Sequence, residues 1–127
     1  MIRQEGLAIA SLLVVDDDPD VLDAICAVLR GAGHRVEAAS GGLAALGVLD
    51  RVSVDLLLTD VVMRGMNGFN LARRAVQRWP ALKVLYYSGF TEFTIGRHEE
   101  LAGKFLQKPL ESDDLRREVA WALARPR

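Results

Sequence analysis

The stretch that most constrains the fold is Asp55-Leu56-Leu57-Leu58-Thr59-Asp60. Its apolar residues run without alternation, so a strand made from it must be covered on both faces, as in a parallel sheet. A second run of this kind, Leu12-Leu13-Val14-Val15, leads into Asp16-Asp17-Asp18. Both runs end in carboxylates. In an open α/β sheet, ligands collect in the crevice at the carboxyl ends of the strands. A lone Asp60 there could do no more than cap its strand or the next helix, so the rest of the chain has to decide.

The segments between and beyond these runs carry helical signals. Pro19 suits the first turn of a helix with Asp18 as its N-cap, and Val21, Leu22, Ile25, Val28 and Leu29 share one face. Gly31 and Gly33 end it. Residues 35–39 read as a second strand and 42–50 as a second helix, with Leu43, Leu46 and Leu49 at spacing three. After Asp60 comes the loop Val61-Val62-Met63-Arg64-Gly65-Met66, and Asn67-Gly68 opens a third helix, apolar at Phe69, Leu71, Ala72, Ala75 and Val76. It stops at Trp79-Pro80, because a residue before proline is pushed out of helical geometry. Residues 82–87 make a fourth strand ending in Ser88-Gly89-Phe90. Residues 91–101, poor in apolar positions, predict a short or irregular fourth helix. A fifth strand at 104–107 runs into Lys108-Pro109. Glu111 or Ser112 caps a last helix to about 124, with Leu115, Val119, Ala122 and Leu123 as its buried stripe.

Five strands alternating with five helices predict an α/β fold, a doubly wound five-stranded parallel sheet with helices on both faces. At 127 residues the chain fits one domain, expected over residues 11–124 between tails at 1–10 and 125–127. A net charge of −1 gives no general attraction to nucleic acid. The apolar stretches fall well short of the roughly 18 residues that span a bilayer, and the start is too short and polar for a secretory signal. These features point to the cytoplasm, without membrane insertion. The single cysteine, Cys26, excludes an internal disulfide and suits a helix core position. No glycine fingerprint follows the first strand and no Gly-Lys-Ser/Thr occurs, so neither a dinucleotide site nor a P-loop is expected. His34 and His98 are read as surface residues, and Trp79 as packing at the foot of its helix. Trp121 lies ~120° off the buried stripe of the last helix, with Ala120 and Ala124 also on the outer side, which fits either a contact surface for an effector or a second copy or a ring lying flat over a neighbouring element.

The strand ends gather Asp16 and Asp17 from the first strand, Asp60 from the third, Ser88 from the fourth and Lys108 from the fifth. Neighbouring strands lie only ~4.8 Å apart, so these side chains can converge. At ~4 Å and an effective dielectric constant of ~20, each pair of like charges costs ~4 kcal/mol before relaxation. Three carboxylates must therefore protonate, spread or bind a cation. An all-oxygen donor set selects Mg2+ or Mn2+ over zinc. A lysine, a hydroxyl and a hard cation around a further carboxylate suit a phosphoryl group, with that carboxylate as nucleophile.

Residues 12–18, 55–68, Ser88-Gly89 and Lys108-Pro109 together resemble the motifs of the response-regulator receiver domain, over about residues 12–124. The resemblance implies the flavodoxin-like (βα)5 fold, with Asp60 as phospho-acceptor. It implies that Asp17 ligates the metal directly, that Asp16 acts mostly through metal-bound water, and that the backbone carbonyl of Val62 is a third protein ligand. Ser88 and Lys108 would each meet a phosphoryl oxygen, and Phe105 would be the switch aromatic that moves inward when Ser88 is drawn to that group. The partner implied is a histidine kinase or a histidine phosphotransfer protein, and the output a change in the face built from the fourth helix, fifth strand and last helix. Residues 87–91 and 105–109 are most similar to receivers of hybrid histidine kinases. Arg64 stands where the family often has proline, which implies a less rigid loop, and Asn67 where aspartate is common. Val62 and Phe90 occupy positions that tune dephosphorylation in this family, and their apolar side chains would shield the site from water. Two other readings stand beside this one. A binding module of the same fold would need no phosphorylation or metal. A Mg2+-dependent phosphohydrolase would want a second carboxylate two residues after the nucleophile, where Val62 stands, and a cap domain.

Overall fold

The computed structural model describes residues 9–89 and 103–125. Five parallel strands form one sheet in the order β2-β1-β3-β4-β5. They are β1 (Ser11–Val15), β2 (Arg35–Ala39), β3 (Leu56–Asp60), β4 (Lys83–Ser88) and β5 (Gly103–Gln107). Three helices, α1 (Pro19–Gly31), α2 (Gly42–Arg51) and α3 (Gly68–Arg78), alternate with the strands, and a C-terminal helix (Ser112–Ala124) closes the described chain. The expected fourth helix, like Phe90 and His98, lies outside the described residues.

The apolar runs behave as their composition requires. Every residue of β3 is buried, whereas the edge strands β2 and β5 alternate or open to solvent. Successive side chains leave a strand on opposite faces. Leu12, Val14, Leu56, Leu58 and Leu85 accordingly pack under α1 and the C-terminal helix, with Leu22, Ile25, Cys26, Leu29, Leu115 and Val119. Leu13, Val15, Leu57, Val84 and Tyr86 pack under α2 and α3, with Ala45, Val48, Leu49, Leu71, Ala72 and Ala75. Cys26 is thus a core residue, as its place in the helix predicts.

The helix ends follow local chemistry. Asp18 caps α1, its carboxylate accepting the amides of Asp20 at 3.0 Å and Val21 at 3.4 Å. Asn67 caps α3 by accepting the Asn70 amide at 2.8 Å. Gly68 follows because nothing larger fits: a Cβ there would lie 2.1 Å from the carbonyl oxygen of Asp60. The loop after β3 thereby folds back onto the strand it left, with the Gly68 amide on the Val61 carbonyl at 2.8 Å.

Two sequence expectations are corrected. Leu43 does not join the buried stripe of α2 but is 76% exposed, while Ala45, Val48 and Leu49 face the core. Leu43 sits ~160° round the helix from Ala45, so spacing three carried it off the face. His34 is buried rather than at the surface, and its Nδ1 accepts the Ala10 amide at 3.1 Å. That contact joins the turn after α1 to the residue preceding β1. Trp79 is partly buried at the end of α3, with the Arg78 guanidinium 4.4 Å from its ring centroid. No helix among the described residues is long and apolar enough to cross a membrane.

Burial pushes the His34 pKa below its ordinary 6.5, so folding favours the neutral ring. Between the folded and unfolded pKa values the unfolded chain binds more protons, and stability rises with pH. The contribution of His34 is full above about pH 6.5 and is lost as the pH falls below it. Urea unfolding should place His34→Gln about 1 kcal/mol below wild type at pH 7.5. The gap should narrow by pH 5.5, and a gap that is constant or widens would contradict a neutral buried ring.

Candidate functional site

The strand order reverses direction between β1 and β3, which are hydrogen-bonded neighbours although β2 comes between them in sequence. Such a switch point opens a crevice at the carboxyl ends of the strands. Asp16 and Asp17 leave β1 on one side of it and Asp60 ends β3 on the other. Carboxylate oxygens of all three lie within 4.8 Å of one another, close enough to hold one cation. The donor set is hard oxygen throughout, which suits a divalent cation such as Mg2+.

The three consecutive aspartates have three separate tasks. Asp16 is almost completely buried; its Oδ1 accepts the Asp18 amide at 2.9 Å and its Oδ2 accepts Lys108 Nζ at 3.1 Å. Asp17 is more open, and its Oδ2 accepts the backbone amide of Arg64 at 3.0 Å. The Arg64 guanidinium stands 3.7 Å from the same oxygen. Asp18 turns away to cap α1. The Arg64 amide bears on the expectation of a slack loop: proline in that place would have no N–H to give, whereas here the loop after β3 is tied to the end of β1.

Asp60 is buried, with Oδ1 accepting the Val61 amide at 2.8 Å and Oδ2 at 3.5 Å from Lys108 Nζ. Burial raises its pKa; Lys108 pulls against that rise, while the Asp16 charge adds to it. Lys108 responds in the opposite sense. Burial works to lower its pKa, but the hydrogen bond to Asp16 and the charges of Asp60 and Asp16 outweigh burial, so the ammonium is favoured. Lys108 reaches this place because its own amide donates to the Ser88 carbonyl at 2.7 Å, which fixes the end of β5 beside β4. Ser88 ends β4 and is buried.

The structure therefore brings Asp16, Asp17, Asp60 and Lys108 into one constellation. Val62 sits in the loop two residues beyond Asp60 with its side chain about half exposed. Phe105 is partly buried, facing the core beneath α2 and α3, in register with Tyr86. Tyr87 was not singled out by its sequence, yet its ring centroid is 5.0 Å from Lys108 Nζ. Its place at the end of β4, next to Ser88, was the available signal. Trp121 is 43% exposed on the C-terminal helix, flanked by Lys104 at 4.8 Å and Arg125 at 4.6 Å from its ring centroid.

Comparison with known proteins agrees with this geometry. Residues 12–120 match the family described as the response regulator receiver domain. The response regulator receiver protein CpdR of Brucella abortus (strain 2308) is 34% identical over 110 residues, covering 85% of this chain and 92% of CpdR. The sensor kinase CckA of the same organism is 31% identical over 110 residues, which are 84% of this chain but 12% of the kinase. Similar identity to both proteins does not single out receivers borne by kinases, the closer likeness expected from residues 87–91 and 105–109. A response regulator receiver domain protein from Clostridium thermocellum superposes with a TM-score of 0.81 at 27% identity, covering 91% of this chain and 94% of that one. With its acidic cluster at the switch point of a five-stranded parallel sheet, the chain belongs to the response regulator receiver domain family.

Proposed function

We propose that the chain is a phosphorylatable receiver of a two-component or phosphorelay system, with Asp60 as the acceptor. The observation that carries this reading is the Lys108 ammonium shared between Asp16 and Asp60 at 3.1 and 3.5 Å, inside a cluster of three carboxylates. In the proposed reaction a carboxylate oxygen of Asp60 attacks the phosphorus of a phosphohistidine on a partner histidine kinase or histidine phosphotransfer protein. The P–O bond forms, the P–N bond breaks, and the imidazole leaves with a proton. Water later attacks the acyl phosphate and releases inorganic phosphate, restoring the carboxylate. The chain catalyses only this change in itself.

The residues divide the work. Lys108 pairs with one phosphoryl oxygen and Ser88 donates to another, positioned charge and hydrogen bonding being the main source of rate in such transfers. When bound, Mg2+ (or Mn2+) held by Asp16, Asp17, Asp60 and the Val62 carbonyl would offset the charge on the phosphoryl oxygens. Val62 and Phe90 slow the attack of water. Displacement of Ser88 toward the phosphoryl group lets Phe105 turn inward, shifting the population of the face that includes β5 and the C-terminal helix. That face, with Trp121 at its surface, is the proposed contact for an effector or a second copy. The proposed location is the cytoplasm, where the lone Cys26 stays reduced.

Intact mass after incubation with a small phosphodonor and Mg2+ tests the acceptor. Wild type should gain one base-labile phosphoryl group and Asp60→Asn none. Failure of the wild type both to gain mass and to bind Mg2+ would favour a module that works without phosphorylation. The same assay followed in time tests the lysine. Lys108→Ala should slow phosphorylation by roughly 10²-fold, the scale for removing one charge-stabilising group, while Mg2+ still binds. An unchanged rate would remove Lys108 from the chemistry.

A further inference from the structure

We propose that Arg64 is a positioning residue that weakens the site's hold on its cation by competing for Asp17. The inference rests on the reading of the three carboxylates as a cation site. Asp17 Oδ2 accepts the Arg64 amide at 3.0 Å, and the Arg64 guanidinium forms an ion pair with the same oxygen at 3.7 Å. Of the three carboxylates Asp17 is the most open, its side chain 26% exposed against 1% for Asp16 and 10% for Asp60. It is thus the one whose charge a mobile side chain can reach from solvent.

Lys108 and Arg64, the cations beside the cluster among the described residues, differ in what they can do. Lys108 is largely enclosed, its side chain 22% exposed, and it bridges Asp16 and Asp60. It cannot leave without stripping two buried carboxylates of their counter-charge. The Arg64 side chain is 91% exposed and, among the described residues, pairs with Asp17 alone. It can swing into water at little cost, because an exposed ion pair is weak. A divalent cation that takes Asp17 must displace this guanidinium or accept its repulsion. The competition carries the modest weight of an exposed pair, about two- to fivefold in affinity. Arg64 touches no reacting atom and acts only through Asp17.

Calorimetric titration of the full chain with Mg2+ tests this apart from any phosphorylation. Arg64→Gln removes the charge and keeps the backbone amide, and should lower the Kd for Mg2+ about two- to fivefold. Arg64→Lys restores a cation and should return the Kd to that of wild type. Arg78→Gln, which loses an exposed ion pair with Asp50 rather than with the cluster, should leave the Kd unchanged. Raising the salt from about 0.1 to about 1 M shortens the Debye length from about 10 to about 3 Å and should close the gap between wild type and Arg64→Gln. A loop rearrangement would not show that salt dependence. Equal Kd values for wild type and Arg64→Gln at the lower salt, or a gap that salt does not change, would overturn the role of Arg64 and leave the cation site standing. No Mg2+ binding by any of the four proteins would overturn the cation site itself, and this inference with it.

Discussion

The bridge from Lys108 to Asp16 and Asp60 is the contact on which the site depends. Two buried carboxylates on neighbouring strands repel by ~4 kcal/mol at ~4 Å and an effective dielectric constant of ~20. That is a large part of the ~5–15 kcal/mol by which a domain of ordinary stability stays folded. One ammonium at 3.1 Å from one and 3.5 Å from the other offsets it. The lysine comes from the far end of the chain, past an edge strand, and reaches the crevice only when β4 and β5 are paired and its own amide has found Ser88. Closing the sheet and neutralising the crevice are therefore one event. The neutralisation is incomplete, since among the described residues three carboxylates face one enclosed ammonium. Such an excess of negative charge is what a cation would offset.

Asp60 is closely held by what surrounds it. β3 is buried along its whole length, and the Asp60 carbonyl accepts the Thr59 hydroxyl at 2.9 Å. The missing side chain of Gly68 lets α3 begin against that same carbonyl. The Arg64 amide then ties the intervening loop to Asp17. Asp60 is thus held from its strand, its following loop and the neighbouring strand end. Such restraint is what a nucleophile needs when positioning contributes much of the rate.

How much of this was legible depended on the range of the interaction. The strands could be read because a two-sided apolar run has few other uses. The caps at Asp18 and Asn67 could be read because their chemistry spans three residues. The gathering of Asp16, Asp17, Asp60 and Lys108 followed from topology: parallel strands put all their carboxyl ends on one side. The failures were cases where a residue's partner lay far off in sequence. His34 has no local pattern, and its partner, the Ala10 amide, sits across a helix. Arg64 could be read only by what it replaced, and the bond from its amide to Asp17 across the crevice had no local signal. Tyr87 carried no signal beyond its place at the end of the fourth strand, and only the position of Lys108 gave its ring a charge to face. Leu43 misled for a local reason, since spacing three drifts round a helix and only the core decides which leucine it keeps.

On the proposed reaction, Lys108 and a metal are not interchangeable. Phosphorylation of Asp60 replaces a carboxylate with a group of higher negative charge and places it further out from the strand. Lys108 must follow that charge, and in doing so it relaxes its hydrogen bond to Asp16. Asp16 is the most deeply buried of the three and has the least access to water as a substitute. Left alone, it would bear the cost of an unpaired buried carboxylate, several kcal/mol even after relaxation. A cation held by Asp16 and Asp17 would remove that cost and free the lysine to move. The same lysine is anchored through its backbone to Ser88, so a shift of its side chain loads the ends of β4 and β5 together. On the proposed reaction the phosphorylation state is felt at the edge of the sheet, because the residue whose ammonium must move is the one whose backbone amide ties the end of β5 to Ser88.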